Sequence, residues 1–187
     1  MRVLLPFVIG LLVLPAQTHA AEVVPTPAFR SIDLRGGGDV TIVRGPVQRV
    51  TIVSGSSAFT HIYLEKEGQL RIDACNSRCP RNYPLQIRIE SPTVPSVAIK
   101  GGGTIVAARG FAPQAHVAAA VQAGGTIDLR AVDARDVSAA VNAGGDIYVR
   151  PRATLSAAVN AGGDIHYSGN PQVSMAITNG GNVSRSN

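Results

Sequence analysis

Seven polar residues that could do chemistry recur at fixed distances after pairs of adjacent glycines. We call this set the polar face: Asp128, Arg130, Asp146, Tyr148, Arg150, Asp164 and His166. Asp146 and Asp164 stand 18 positions apart in nearly identical surroundings. Two carboxylates held about 5–5.5 Å apart can cleave a glycosidic bond with retention, and stacked carboxylates can also bridge calcium. Arg130 and Arg150 are the type of basic residue that a polysaccharide lyase needs beside such acids.

The rest of the sequence argues against both chemistries. An aspartate directly after two glycines suits a turn, where its side chain bonds the backbone. Aromatic residues make up only 4% of the chain and Trp is absent, so the stacking subsites of a carbohydrate cleft are missing. Calcium needs about six to eight oxygen ligands, and two carboxylates supply only part of them. We interpret His166 as an ordinary surface residue. We therefore predict no catalytic residue, no metal and no cofactor, and keep the polar face as a candidate ligand-binding surface.

An internal repeat must position these residues. The segment Ser138–Ile147 recurs letter for letter as Ser156–Ile165. Paired glycines recur at steps of 22, 20, 18 and 18 residues, at Gly102–Gly103, Gly124–Gly125, Gly144–Gly145, Gly162–Gly163 and Gly180–Gly181. A period near twenty is typical of a solenoid with one coil per repeat.

Each repeat predicts two short strands around a glycine corner. Before the glycines, Val137, Ala139 and Val141 alternate with polar or small residues, and after them Ile147 and Val149 do the same. A period of two buries one face of a strand. No apolar stripe of period 3.6 is present, which excludes helices as the main element. Equivalent residues of stacked coils should therefore form columns, with strands about 4.8 Å apart.

The predicted fold is all-β: a single-stranded parallel β-helix, with one domain spanning residues 21–187. Residues from about 96 to 187 form the regular coils, and residues 28–95 form a diverged first coil with N-terminal hairpin strands that cover its end. Gly37–Gly38 marks that diverged coil. The step of 18 residues also suits a left-handed hexapeptide helix, so the handedness stays open.

The strand before each glycine pair carries only small residues on its outer face. We call this set the Ala/Ser face: Ala120, Ser138, Ala140, Ser156, Ala158, Ser174 and Ala176. Solvated sheets normally carry longer polar side chains, so a flat face of this kind indicates packing against another molecule, a second copy, or the protein's own N-terminal hairpins. The column at the glycine corner, which contains Asn142 and Asn160, is predicted to be structural.

The first twenty residues read as a secretory signal peptide. A basic start at Arg2 precedes an apolar run, and small residues precede a cleavage site between Ala20 and Ala21. The chain has no later stretch apolar and long enough to span a membrane. An exported protein resides in an oxidising compartment, so we predict that Cys75 and Cys79 form a disulfide. A metal or redox pair is the alternative, but metal sites need more ligands and redox motifs use two intervening residues.

Charge and composition limit the partners. The formal net charge is +5, but the arginines are scattered singly, whereas nucleic-acid binding requires a clustered basic surface. We therefore predict no nucleic-acid partner. Candidate partners are an envelope polysaccharide or another protein, with a homo-oligomer as a further possibility.

The segment starting at Phe29–Ile42, the run from Leu85 to Pro95, and the repeated Ala-Gly-Gly-Asp-Ile of Ala143–Ile147 together resemble the auto-transporter adhesin head GIN-domain family of bacterial envelope proteins. The family favours Gly-Ser-Gly-Asp at these corners, where this chain has Gly in the middle position. The resemblance implies a right-handed β-helix similar to pectin lyases, an adhesive role and no known catalytic residues. No translocating barrel follows in this sequence.

We therefore expect an exported, non-enzymatic binding or adhesion-type protein of the periplasm or the secreted fraction. A glycan-active enzyme of pectin-lyase type is the first alternative, and a self-associating structural scaffold of the envelope is the second.

Overall fold

A computed structural model of the chain describes residues 21–76 and 78–186. The predicted signal peptide lies outside the described residues. Within them a short 3-10 turn spans Lys66–Gly68. The strands are β1 Glu22–Val24, β2 Ser31–Arg35, β3 Asp39–Arg44, β4 Arg49–Ser54, β5 His61–Leu64, β6 Gln69–Asp73, β7 Gln86–Ser91, β8 Ser96–Lys100, β9 Thr104–Ala107, β10 Gln114–Gln122, β11 Thr126–Asp128, β12 Ala134–Asn142, β13 Asp146–Val149, β14 Pro151–Asn160, β15 Asp164–Tyr167, β16 Gln172–Thr178 and β17 Asn182–Arg185.

The all-β prediction is confirmed, with the strands in two large mixed sheets. The nine-stranded sheet has the order β1-β4-β7-β3-β9-β11-β13-β15-β17. The eight-stranded sheet has the order β16-β14-β12-β10-β8-β2-β6-β5. From β8 onward the chain alternates between the sheets, and each strand pairs in parallel with the equivalent strand of the neighbouring repeat.

The core lies between the sheets and follows the predicted alternation. On β12, Val137, Ala139 and Val141 are buried, whereas Ser138 and Ala140 are exposed. On the nine-stranded sheet, Ile105, Ile127, Ile147 and Ile165 form one inward column that is fully buried. Burial of this apolar column stabilises the contact between neighbouring repeats, at about 25 cal/mol per Å² of apolar surface removed from water.

The glycine corners bring backbones of adjacent repeats close together. Gly162 and Gly163 both have positive φ, at 91° and 95°. A Cβ on Gly163 would lie 2.6 Å from the carbonyl oxygen of Gly145, whereas a Cβ on Gly162 would meet nothing within 4 Å. The same Gly145 oxygen accepts a hydrogen bond from the backbone N of Asp164 at 3.0 Å. The second glycine of the corner is therefore required by space as well as by backbone conformation.

The N-terminal region is more complex than a single diverged coil. The pair β2–β3 stacks on β8–β9, and Leu34 lies in register with Ile99. A second pair, β6–β7, lies on the other side of β2–β3, so the order of strands in space is not their order in the chain. Beyond it, β5 pairs antiparallel with β6, and β4 pairs antiparallel with both β7 and β1. Among the described residues of this region, β5 and β6 are the only consecutive strands that pair as a hairpin.

A disulfide joins Cys75 to Cys79 in the loop between β6 and β7, which confirms the predicted bridge. The Cα atoms are 5.7 Å apart, within the range that a disulfide spans. The bridge joins two residues four positions apart in the sequence.

The opposite end of the two sheets is less protected. Strands β16 and β17 are the last strands of their sheets. Met175 and Ile177 lie in register with the buried Ala157 and Val159, yet 53% and 43% of their surfaces are exposed. The C-terminal end of the core is therefore open in the described part of the chain.

Across 21–76 and 78–186, no helix has the length and apolar character needed to cross a membrane.

Candidate functional site

The polar face lies on the outside of the nine-stranded sheet, in the predicted columns. Asp146 on β13 is in register with Asp164 on β15. Tyr148 is in register with Asp128 on one side and with His166 on the other. Because side chains alternate along a strand, residues two positions apart share a face. The sheet thus places these five residues on one surface; Arg130 and Arg150 follow β11 and β13 in the chain.

Asp128 and Arg130 form an ion pair at the β11 end of the polar face. Arg130 Nη2 lies 2.5 Å from Asp128 Oδ2, and Arg130 Nε donates to Asp128 Oδ1 at 3.0 Å. The hydrogen bonds from the guanidinium hold the pKa of the Asp128 carboxyl below its usual range. The same contact raises the pKa of Arg130. Arg130 is therefore a firmly protonated cation and cannot accept a proton at neutral pH.

Replacing Arg130 with Gln is expected to raise the pKa of Asp128 toward that of an unpaired aspartate. A carboxyl whose pKa is depressed on folding stabilises the native state above its unfolded pKa, near 3.9. That stabilisation is lost as the pH falls through the folded pKa, so Arg130→Gln should flatten the loss of stability in acid. NMR titration of the Asp128 carboxyl carbon measures this pKa directly. Arg185→Gln is the matched control, and an unchanged Asp128 pKa in Arg130→Gln would contradict the prediction.

Aromatic stacking links the same columns. The Tyr148 and His166 rings stack with centroids 4.7 Å apart and planes 16° apart. The Arg130 guanidinium lies over the same Tyr148 ring, 4.8 Å from its centre. His166 Nδ1 also lies 3.1 Å from Ser184 Oγ on β17. Contacts to both sides therefore fix the orientation of the His166 ring.

Asp146, Asp164 and His166 come together as a group. One ligand atom from each lies within 4.8 Å of the other two, and all three residues are half-buried. The predicted basic partners are elsewhere: Arg130 is paired with Asp128, and Arg150 Nε lies 3.1 Å from Asp133 Oδ1. In the described ranges neither Asp146 nor Asp164 forms an ion pair.

An open groove of about 860 Å³ borders the polar face on its N-terminal side. Arg109, Arg130 and Arg150 line it together with Asp128 and small apolar residues. This concentration of guanidinium groups gives the groove a positive character, which suits an anionic polymer.

The Ala/Ser face lies on the outside of the eight-stranded sheet, in the predicted columns. Ala120, Ala140, Ala158 and Ala176 are register partners across four strands, and Ser138, Ser156 and Ser174 form the column beside them. A shallow groove of about 420 Å³ runs along this face toward β2 and β6. Ser174 and Ala176, on the terminal strand β16, lie outside that groove.

The column at the glycine corner contains an amide contact of the predicted kind. Asn160 Nδ2 donates to Asn142 Oδ1 at 3.1 Å. This bond joins two neighbouring repeats along the stacking direction.

Sequence reasoning missed Asp33, which heads the alanine column of the Ala/Ser face. Asp33 lies in register with Ala98, its side chain is fully buried, and it contacts Arg35 Nη2 at 2.6 Å and Lys100 Nζ at 3.1 Å. A usable signal was present, because opposite charges two positions apart in the sequence recur in four ion pairs: Asp33 and Arg35, Arg71 and Asp73, Arg88 and Glu90, and Asp128 and Arg130.

Comparison with known proteins gives a family. No curated protein matches this chain. Among solved structures, one described as a putative adhesin from Bacteroides fragilis is 18% identical, has a TM-score of 0.53, and aligns over 91% of this chain and 98% of its own. A second, described as a putative adhesin from Parabacteroides merdae, is 13% identical with a TM-score of 0.44, over 90% and 96% of the two chains. The first likeness supports the fold only.

The family model described as "Putative auto-transporter adhesin, head GIN domain" matches residues 28–115 and, in an overlapping second match, residues 96–171. Together these matches span most of the chain. The resemblance noted from the sequence is thereby confirmed. The protein belongs to this auto-transporter adhesin head GIN-domain family.

Proposed function

We propose that this protein is an exported, non-enzymatic binding protein of the bacterial envelope that attaches to an apolar protein surface through the Ala/Ser face. The groove of about 420 Å³ along that face is the observation that carries the proposal. Family membership supports an adhesin-like role. Export rests on the predicted signal peptide at residues 1–20 and places the mature chain in the periplasm or outside the cell.

The side chains of the groove favour a protein partner over a sugar. Ala140 and Ala158 are exposed, and methyl groups and small hydroxyls give a flat surface with little conformational entropy to lose on binding. Polysaccharide recognition usually relies on aromatic rings, and none lines this groove among the described residues. A patch of this kind gains affinity by removing apolar surface from water.

The proposal includes the architecture that holds the face flat: a single-stranded parallel β-helix built from the strands between β8 and β17. Its support is the regular alternation of strands between the two sheets and their in-register parallel pairing. In such a helix each repeat contributes one Ala and one Ser position to the face, so its length follows the number of repeats.

The pectin-lyase alternative needs a proton acceptor and a basic group beside the acids. Arg130 is held protonated by Asp128, and Arg150 is paired with Asp133. Asp146 and Asp164 thus have no arginine or lysine partner among the residues described. This arrangement supports the non-enzymatic interpretation. The open end at Met175 and Ile177 favours the scaffold alternative, because it would be covered by self-association.

The double variant Ala140→Arg plus Ala158→Arg is expected to reduce binding at least tenfold, because it places two charged side chains in an apolar contact. Purified residues 21–187 would be passed over surfaces coated with matrix proteins and, separately, with envelope polysaccharides, and the retained fraction measured. Gln122→Arg plus Thr178→Arg adds the same charge at exposed positions of the corner column and should bind as the parent does.

Three outcomes would contradict the proposal. Equal retention of parent and Ala→Arg variant would remove the Ala/Ser face as the site. Retention on polysaccharides alone would move binding to the arginine-lined groove of the polar face. New reducing or unsaturated sugar ends would indicate an enzyme. Sedimentation of the parent across a concentration range tests the scaffold alternative on the same samples.

A further inference from the structure

We propose that Asp146, Asp164 and His166 form a binding site for a divalent transition-metal ion, with zinc as the representative. The ion would bridge β13 and β15 at the open end of the molecule. This inference is independent of the Ala/Ser face. It concerns the other sheet, and it revises the prediction from sequence that the polar face holds no metal.

The donor set carries the proposal. The three ligand atoms, two carboxylate oxygens and one imidazole nitrogen, lie within 4.8 Å of one another on one face. An imidazole beside two carboxylates is a donor set for zinc or another transition metal, whereas calcium and magnesium take oxygen ligands. Zinc holds its ligands at about 2.1 Å, so that in a tetrahedral site they lie about 3.4 Å apart. Small rotations of these half-buried side chains would close the group around an ion and leave a fourth position for water.

The charge balance also points to a cation. Parallel pairing puts Asp146 and Asp164 directly beside each other in neighbouring strands, where two carboxylates repel. Two other acids of this sheet have basic partners: Asp128 is paired with Arg130, and Glu90 lies between Arg49 and Arg88. In the described segments Asp146 and Asp164 have no such partner. A bound divalent cation would supply the missing positive charge.

The surroundings of His166 suit a metal ligand. Its Nδ1 is 3.1 Å from Ser184 Oγ, which leaves Nε2 for an ion. Binding at Nε2 requires Nδ1 to carry the proton and donate it to the serine oxygen, the arrangement commonly found behind metal-bound histidines. Stacking against Tyr148 fixes the plane of the ring. These contacts come from β13 and β17, so the metal and its supporting groups would join three consecutive strands of the sheet.

The position of the site gives it a structural use. The strands it joins lie next to the end where Met175 and Ile177 are exposed. An ion that binds only the folded state stabilises that state by an amount that grows with the logarithm of its concentration over its dissociation constant. Zinc would therefore hold the last repeats in place where the apolar core is least covered.

The test is calorimetric titration of metal-free residues 21–187 with zinc chloride, and separately with calcium chloride, together with thermal unfolding in both ions. We expect one saturable zinc site, a higher melting temperature in zinc, and no comparable effect of calcium. Asp164→Asn and His166→Gln should each weaken zinc binding at least tenfold. Ser184→Ala should weaken it less, because it only orients the ring.

Asp128→Asn is the matched control, since it removes a carboxylate of the same sheet surface that belongs to a different pair. It should keep the zinc affinity of the parent. Circular dichroism of each variant without metal shows whether the fold is retained. Absence of saturable zinc binding by the parent, unchanged affinity in both Asp164→Asn and His166→Gln, an equal loss in Asp128→Asn, or binding of calcium in preference to zinc would each overturn the proposal.

Discussion

Replacing Gly163 with Ala is expected to lower the free energy of unfolding by about 4 kcal/mol, whereas Gly162→Ala should cost only about 1–2 kcal/mol. Both residues have positive φ, so an added Cβ strains the backbone in both. Only at Gly163 does that Cβ also collide, at 2.5 Å from Val141 Cγ1 and 2.6 Å from the Gly145 oxygen. Neither neighbour can move freely, because the side chain is packed in the core and the oxygen is hydrogen-bonded.

Equilibrium unfolding in urea, followed by circular dichroism, measures both costs on the same scale. The two variants share residue type, corner and φ region, so the difference between them isolates the collision. Equal losses would mean that backbone strain alone governs the corner. Because Asp164 N donates to the same Gly145 oxygen, Gly163→Ala should also weaken zinc binding, while Gly162→Ala should leave it nearly intact.

Replacing Asp33 with Ala is expected to cost about 3 kcal/mol. The Asp33 side chain is fully buried and accepts charge-assisted hydrogen bonds from Arg35 and Lys100. Its removal leaves two cations facing each other without the carboxylate that neutralises them. Both are partly exposed, at 29% and 41% of their side chains, and can turn toward water. The loss should therefore fall at the lower end of that seen for buried ion pairs.

Thermal unfolding at low and high salt measures this cost and identifies its origin. Salt screens exposed charges much more than buried ones, so the loss in Asp33→Ala should persist at high salt. Asp39→Ala removes an exposed acid with no ion pair in the described ranges and should change stability little. An Asp33→Ala variant as stable as the parent would show that the buried carboxylate contributes nothing net.

The sequence was sufficient to predict the structural features that recur in every repeat. The identical segments at Ser138 and Ser156 predicted the register of β12 and β14, and the columns of both faces followed from it. The glycine pairs predicted the corners, and the resemblance pointed to the right family. These features are local or recur in each repeat. Their spacing in the sequence therefore predicts directly where they lie in the structure.

The features that the sequence did not indicate depend on distant contacts. Nothing local shows that β6 and β7 lie beyond β2 and β3, because the path of the chain between Arg44 and Gln69 decides it. The burial of Asp33 depends on Lys100, 67 residues away. The polar columns were foreseen, but the stacking of Tyr148 on His166 and the pairing of Arg130 with Asp128 depend on rotamers that the spacing leaves free.

The identity of neighbouring repeats has a consequence for how such a protein can change in evolution. Asn142 and Asn160 are one full step of 18 residues apart and are register partners in neighbouring strands. A tandem duplication of residues 138–155 would therefore insert one more layer about 4.8 Å thick whose strands have the same register toward both neighbours. Such a gene can lengthen or shorten its product by copying errors alone, so the reach of the molecule is a heritable quantity that selection can adjust in equal increments.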